Sequence, residues 1–173
     1  MQGFAVFGTA IGEFAITWGG RGVVGVDWPR AAEAGGRRRP GAVETPPPPQ
    51  IEAAIDGMVA LLRGEARDLS AVILDMDGAP PLHRQVWALA RTIPPGETRT
   101  YGEIAIALGD RLLAREVGQA LGRNPFPIIV PCHRVLAAGG RIGGFSAPGG
   151  IDAKRRVLAI ESVLAKREPG LFD

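Results

Sequence analysis

Cysteine is nearly absent from this chain: a single one, Cys132, occurs in 173 residues. One cysteine excludes an intramolecular disulfide and any cysteine-cluster zinc site. It also makes a reducing, cytoplasmic compartment the default expectation. Long apolar runs are missing as well. No stretch approaches the roughly 18 residues that a membrane-spanning helix needs, so no membrane association is expected. Met1 to Trp18 lacks the basic start and apolar core of a signal peptide, and none is expected. Histidine is scarce, with two residues, and aromatic residues make up 6%. What is present is ample apolar material, 46% of residues, enough to fill one large domain or two small ones.

The net charge of +2 hides an asymmetry. Residues 1–78 carry 7 Lys/Arg against 10 Asp/Glu, and residues 79–173 carry 13 against 8. The excess of positive charge therefore lies in the half that contains Cys132. It agrees with a polyanionic partner but does not require one, because basic surfaces are common.

The first 28 residues pattern as a small antiparallel sheet. Phe4–Phe7, Glu13–Trp18 and Gly22–Val26 are short apolar or alternating runs separated by glycine-containing turns. Arg30 to Pro49, with its Arg37-Arg38-Arg39 run and four consecutive prolines, predicts a partly helical excursion ending in an exposed loop. The triple arginine is read as a solvated charge run. Ile51 to Leu62 repeats apolar residues at helical spacing, and Gly64 closes it. Val72-Ile73-Leu74 predicts a strand ending at Asp77-Gly78, and a domain boundary is expected near 78–80.

The second half is more helical. Leu82 to Thr92 predicts a helix broken by Pro94-Pro95-Gly96. Thr100 and Glu103 have the spacing of a capping box that starts a helix through Leu108. Gly109-Asp110 turns the chain, and a second helix is expected from about Leu112 to Gly122. Two short helices joined by a glycine-containing turn match a helix-turn-helix. After Cys132, residues 138–141 predict a turn, and Gly143 to Gly150 a glycine-rich loop that lacks the lysine of a phosphate-binding loop. A last helix is expected over about Ala153 to Lys166, with Val157, Leu158, Ile160 and Leu164 as its apolar face.

Pro131-Cys132-His133-Arg134-Val135 is the run that carries chemistry. Cysteine reacts as the thiolate, and a neighbouring base is the usual way to form one. Adjacency alone is weak, since neighbouring side chains on a strand face opposite ways. A buried inert cysteine and an activated nucleophile both remain open on this pair alone.

Several runs then fall in order: Tyr101-Gly102-Glu103-Ile104-Ala105, Val117 to Ile128, Pro131 to Val135, Gly144-Phe145-Ser146, and Lys154. Together they closely resemble the O(6)-methylguanine-DNA methyltransferases, over about residues 82 to 163. The resemblance implies an α+β fold. Its N-terminal part, 1–78, would be a ribonuclease-H-like α/β domain with a small antiparallel sheet. Its C-terminal part, 79–173, would be a mostly helical, winged helix-turn-helix-like domain. It implies direct repair of alkylated double-stranded DNA: the damaged guanine is flipped out through minor-groove binding, and its O6-alkyl group passes irreversibly to Cys132. O4-methylthymine is a possible second substrate. No cofactor, no metal and no obligate protein partner are implied.

The same resemblance distributes roles. His133 acts as base toward Cys132 through a water, and Glu161 orients the imidazole. Asn124 braces the turn between the second helix and the cysteine. Tyr101 presses on the phosphate beside the flipped nucleotide and protonates the leaving guanine. Pro127, Val135, Phe145 and Ser146 fall at guanine-pocket positions, Val135 through its carbonyl. Gly118, Gly122, Arg123 and Tyr101 fall on the DNA side. Arg134 is read as structural. Some members insert an arginine finger into the vacated stack; Gly122 is read as that position here, with Arg123 as the candidate substitute. Phe145 stands where some members carry tyrosine, Ala147-Pro148 lengthens the pocket loop, and Glu116 is expected to face inward or to pair with Arg115 or Arg111. A cysteine hydrolase would need an oxyanion hole, to which nothing beyond Cys-His points. A binding-only relative would lack the nucleophile that Cys132 provides.

Overall fold

The computed structural model describes residues 2–29, 41–142 and 150–167. The Arg37-Arg38-Arg39 run and most of the glycine-rich loop, including Phe145, Ser146, Ala147 and Pro148, lie outside the described residues.

Three strands, β1 (Gln2–Thr9), β2 (Gly12–Gly19) and β3 (Gly22–Asp27), form the expected antiparallel meander. A short strand β4 (Ala42–Glu44) pairs with β1 in parallel, giving the order β3-β2-β1-β4. The sheet is therefore mixed rather than wholly antiparallel, and β4 lies in the stretch expected to be loop. Val72–Leu74 is no strand either. It makes one bridge, Leu74 to Val23, with Val23 N donating to Ile73 O at 2.9 Å. That close approach requires Gly22: at its φ of +126° a Cβ would meet the Ile73 carbonyl oxygen at 2.5 Å.

Helix α1 (Pro49–Leu62) begins on the last proline of its run, which is tolerated because a first-turn N–H has no helical partner. It buries Ile51, Ala54, Met58, Leu61 and Leu62 against the sheet residues Phe14, Ile16 and Val23 in one hydrophobic core. Helix α2 (Pro81–Ala90) also starts on proline. A two-stranded pairing of β5 (Arg99–Thr100) with β6 (Val135–Leu136) joins the chain before the helix pair to the chain after the cysteine.

Helices α3 (Tyr101–Ala107) and α4 (Ala114–Gly122) are the predicted helix-turn-helix. Thr100 Oγ1 accepts from Glu103 N at 3.1 Å and Glu103 Oε1 accepts from Thr100 N at 3.3 Å, so the capping box is formed. The second helix is split. A 3-10 turn over Arg111–Leu113, closed by Leu112 N donating to Asp110 Oδ1 at 2.9 Å, precedes α4. Trp87 fixes α4 in place: its Nε1 donates to Ala120 O at 2.9 Å, and its ring meets Phe126 edge-on at 6.0 Å.

Helix α5 (Gly150–Arg167) starts before Asp152, which lies in its first turn rather than at its cap. Its buried stripe is Lys154, Val157, Glu161 and Leu164, not the purely apolar face expected; Leu158 and Ile160 are only half-buried. Residues seven apart differ by only about 20° around a helix, so Lys154 and Glu161 point the same way.

Candidate active site

Phe126 to Pro131 turns the chain from α4 to the cysteine, and the turn is strained. Ile128, a β-branched residue, has a φ of +72°. Such a conformation costs on the order of 1–3 kcal/mol and persists only where its surroundings impose it. Asn124 imposes it from both sides. Its Nδ2 donates to Val130 O at 2.9 Å, and its Oδ1 accepts from Phe126 N at 2.8 Å. Val130 N reaches back to Phe126 O and Cys132 N to Val130 O, each at 2.8 Å.

Cys132, His133 and Arg134 then form a single 3-10 turn. A 3-10 turn spaces side chains by about 120° rather than alternating them. All three are buried, with Cys132 6% and His133 0% exposed. Burial pushes the Cys132 thiol up, and the Asn124 amide and the Lys154 ammonium oppose it by favouring the thiolate. Burial also pushes the His133 imidazole down, against the pull of Glu161, so the ring is neutral near pH 7. A neutral imidazole is the form able to take a proton.

His133 Nε2 lies 3.0 Å from Glu161 Oε1, in a bent approach short of an in-line hydrogen bond. Glu161 itself is held by Arg134. Nε donates to Oε1 at 2.9 Å, Nη2 donates to Oε2 at 2.6 Å, and Nη1 donates to the Ile93 carbonyl at 2.7 Å. Burial alone would raise the Glu161 carboxyl. The charges and hydrogen bonds of His133 and Arg134 more than offset this and hold it at about 2. With the imidazole neutral, the two-pronged Arg134 contact is the part of that hold that persists. Lys154 Nζ donates to Val135 O at 2.8 Å from within the core.

Tyr101 opens α3, half-buried. Burial raises its phenol, and so does a charge on Cys132, so it stays protonated and can donate. Its ring packs on α4 at Gly118, where a Cβ would sit 3.8 Å from Cε2. Gly122, one turn on, is exposed and faces open space. Arg115 is exposed three residues before Gly118 and so lies about 60° from it around α4. Arg123 lies five residues after Gly118, about 140° away, at the helix end. Glu116 turns inward: its Oε2 is buried with no hydrogen-bond partner among the described residues. The structure thus brings together Cys132, His133, Glu161, Asn124, Tyr101 and the Val135 carbonyl. Pro127 is buried in the same turn.

Two members of this cluster had gone without a chemical role on sequence grounds, Lys154 and Arg134. The signal for Lys154 was its place on the buried face of α5, two turns from Glu161, where a charge needs a partner. Among the described residues, no helix is long and apolar enough to cross a membrane.

Comparison with known proteins agrees with this geometry. The family model described as 6-O-methylguanine DNA methyltransferase, DNA binding domain, matches residues 81–163. A methylated-DNA–protein-cysteine methyltransferase of Mycobacterium bovis is 44% identical over 129 residues, covering 75% of this chain and 76% of the relative. The crystal structure of Mycobacterium tuberculosis O6-methylguanine methyltransferase superposes with a TM-score of 0.76 at 34% identity, covering all of both chains. A structure of Mycobacterium tuberculosis OGT in complex with DNA superposes at 0.79, again at 34% identity, covering 99% of each.

Proposed function

The chain belongs to the 6-O-methylguanine DNA methyltransferase family, and from that premise we propose that Cys132 is the single-use acceptor of the alkyl group. The protein binds DNA and repairs it by alkyl transfer, as a methylated-DNA–protein-cysteine methyltransferase. The assignment of residues rests chiefly on one observation: the lone cysteine stands in a buried turn beside a neutral imidazole and an ionised glutamate.

An alkyl group on guanine O6 lies inside the base stack, so the nucleotide has to leave the helix before a side chain can reach it. Helix α4 enters the minor groove, and Tyr101 presses on the phosphate of the flipped nucleotide. Arg115 enters the vacated stack. It shares the Tyr101 side of α4, which favours it over Arg123 and leaves Gly118 and Gly122 as the close-approach surface. Val135 O and Pro127 hold the base, together with Phe145 and Ser146 of the pocket loop.

In the reaction, the Cys132 proton passes through a water to His133, and Glu161 stabilises the imidazolium. The thiolate attacks the alkyl carbon from the side opposite O6. The S–C bond forms as the C–O6 bond breaks, and the electron pair goes to the guanine oxygen. The Tyr101 phenol donates the proton that neutralises the leaving guanine and is reprotonated from solvent. The product thioether is stable, so each molecule acts once. The division of the chain near residues 78–80 belongs to the same reading; it is supported by the turn at Gly78 and the start of α2 at Pro81. A cytoplasmic location fits a thiol that has to remain reduced.

Incubation with a duplex containing O(6)-methylguanine tests this. Intact mass should rise by one methylene, on the Cys132 peptide, and Cys132→Ser should show no gain. Equal transfer to Cys132→Ser would overturn it.

A further inference from the structure

The buried ammonium of Lys154 has no part in the proton path through His133 and Glu161, although it lies on the same helix face as Glu161. Its Nζ donates to Val135 O at 2.8 Å. Val135 N in turn donates to Cys132 O, closing the 3-10 turn that carries the cysteine. The side chain thus secures the far end of the nucleophile's own turn. It also fixes the carbonyl read above as a guanine acceptor, leaving that oxygen's second lone pair for the base.

We propose that Lys154 is a positioning residue with two tasks: it is the counter-charge of the Cys132 thiolate, and it orients the Val135 carbonyl toward the flipped base. The proposal rests on Cys132 being the alkyl acceptor. The logic is one of charge balance. When the Cys132 proton passes to His133, the imidazolium is matched by Glu161, itself held by Arg134. The thiolate left behind is buried and needs a cation of its own. His133, Asn124, Tyr101 and Lys154 are the groups around it. Asn124 and neutral Tyr101 offer dipoles, and Lys154 alone offers a charge not already matched in the proton path. The influence is mutual: the lysine favours the thiolate, and the thiolate opposes the loss of the ammonium proton that burial promotes.

Alkylation of DNA-free protein by iodoacetamide, followed across pH, tests the charge. It reads the thiolate directly and does not depend on repair, so its failure is distinct from failure of methyl transfer. In Lys154→Met and Lys154→Gln the acid limb should move up by about one unit or more, with roughly tenfold slower reaction below the limb. Lys154→Arg should keep the limb in place. A purely structural lysine would alter stability and leave the limb where it is. A folded Lys154→Met with an unmoved limb would overturn the proposal, as would a Lys154→Arg limb displaced as far as that of Lys154→Met. A measurement on wild type keeps the question decidable if the variants do not fold. Methylating Cys132 removes the anion, so the Lys154 ammonium, followed by lysine carbon NMR, should titrate lower. An unchanged titration would also overturn it. The carbonyl task is read with O(6)-benzylguanine free base: Lys154→Met should weaken its saturation beyond the thiolate effect, and unchanged saturation would remove that task.

Discussion

Arg134 carries more of the site than its place after the histidine suggests. It holds both oxygens of Glu161 and the Ile93 carbonyl at once. Removing one partner of a buried ion pair leaves the other charge unmatched, at a cost of about 3–5 kcal/mol. Arg134→Met should therefore destabilise the protein by about that much in denaturant unfolding, and the loss should be smaller when Glu161→Gln is added. The pH dependence follows from the same residues. Glu161 and His133 both have folded-state pKa values below their unfolded ones. Their stabilisation is thus fully present near neutrality and lost on acidification. The histidine part declines as pH falls below about 6.5, and the glutamate part between about 4.3 and the folded value of about 2. Melting temperature followed down in pH should show both phases, and Glu161→Gln should flatten the second. The cysteine and histidine were legible as a reactive pair because their residue types are rare here. The Arg134 clamp was not, because it depends on a 3-10 turn that buries three consecutive side chains. A strand in the same place would have sent neighbours to opposite faces.

At the scale of elements, the helix-turn-helix was plain in the sequence, since the capping box at Thr100 and Glu103 is a local signal that tertiary contacts did not override. The short strand β4 was not, because three residues beside a proline run carry no alternation to read. Val72–Leu74 was over-read for the converse reason: an apolar triplet resembles a strand, but only one bridge forms. Residues 154 and 161 show how a helix pattern misleads at a functional site, where charges take buried positions that an apolar stripe would otherwise fill. The position of an arginine along α4 is likewise a question of angle rather than of sequence distance. Arg115→Ala should slow repair of duplex substrate at least tenfold more than repair of free O(6)-benzylguanine, and Arg123→Ala should affect both alike. Rates from single-turnover quenching on the two substrates would separate them, and the reverse pattern would return the role to Arg123.

Across the whole molecule, the two halves of the chain are tied together behind the cysteine. Val26 N donates to Pro125 O at 2.9 Å, one residue after Asn124, and Arg91 Nη2 donates to the Leu69 and Val72 carbonyls at 2.8 Å. The N-terminal sheet and α1 thereby brace the strained turn that presents Cys132, while α3 and α4 face outward to DNA. The resemblance that ran through the second half extends to both halves in three dimensions, with the fold shared over the full length of the M. tuberculosis protein. The account's central claim is that this assembly serves one reaction per molecule at one sulfur. The most direct test titrates a duplex containing O(6)-methylguanine against the protein and counts methyl groups by peptide mass spectrometry. The account predicts a plateau at one methyl group per chain, all of it on Cys132. Methyl groups removed from DNA in excess of the protein, or found on any other residue, would contradict it.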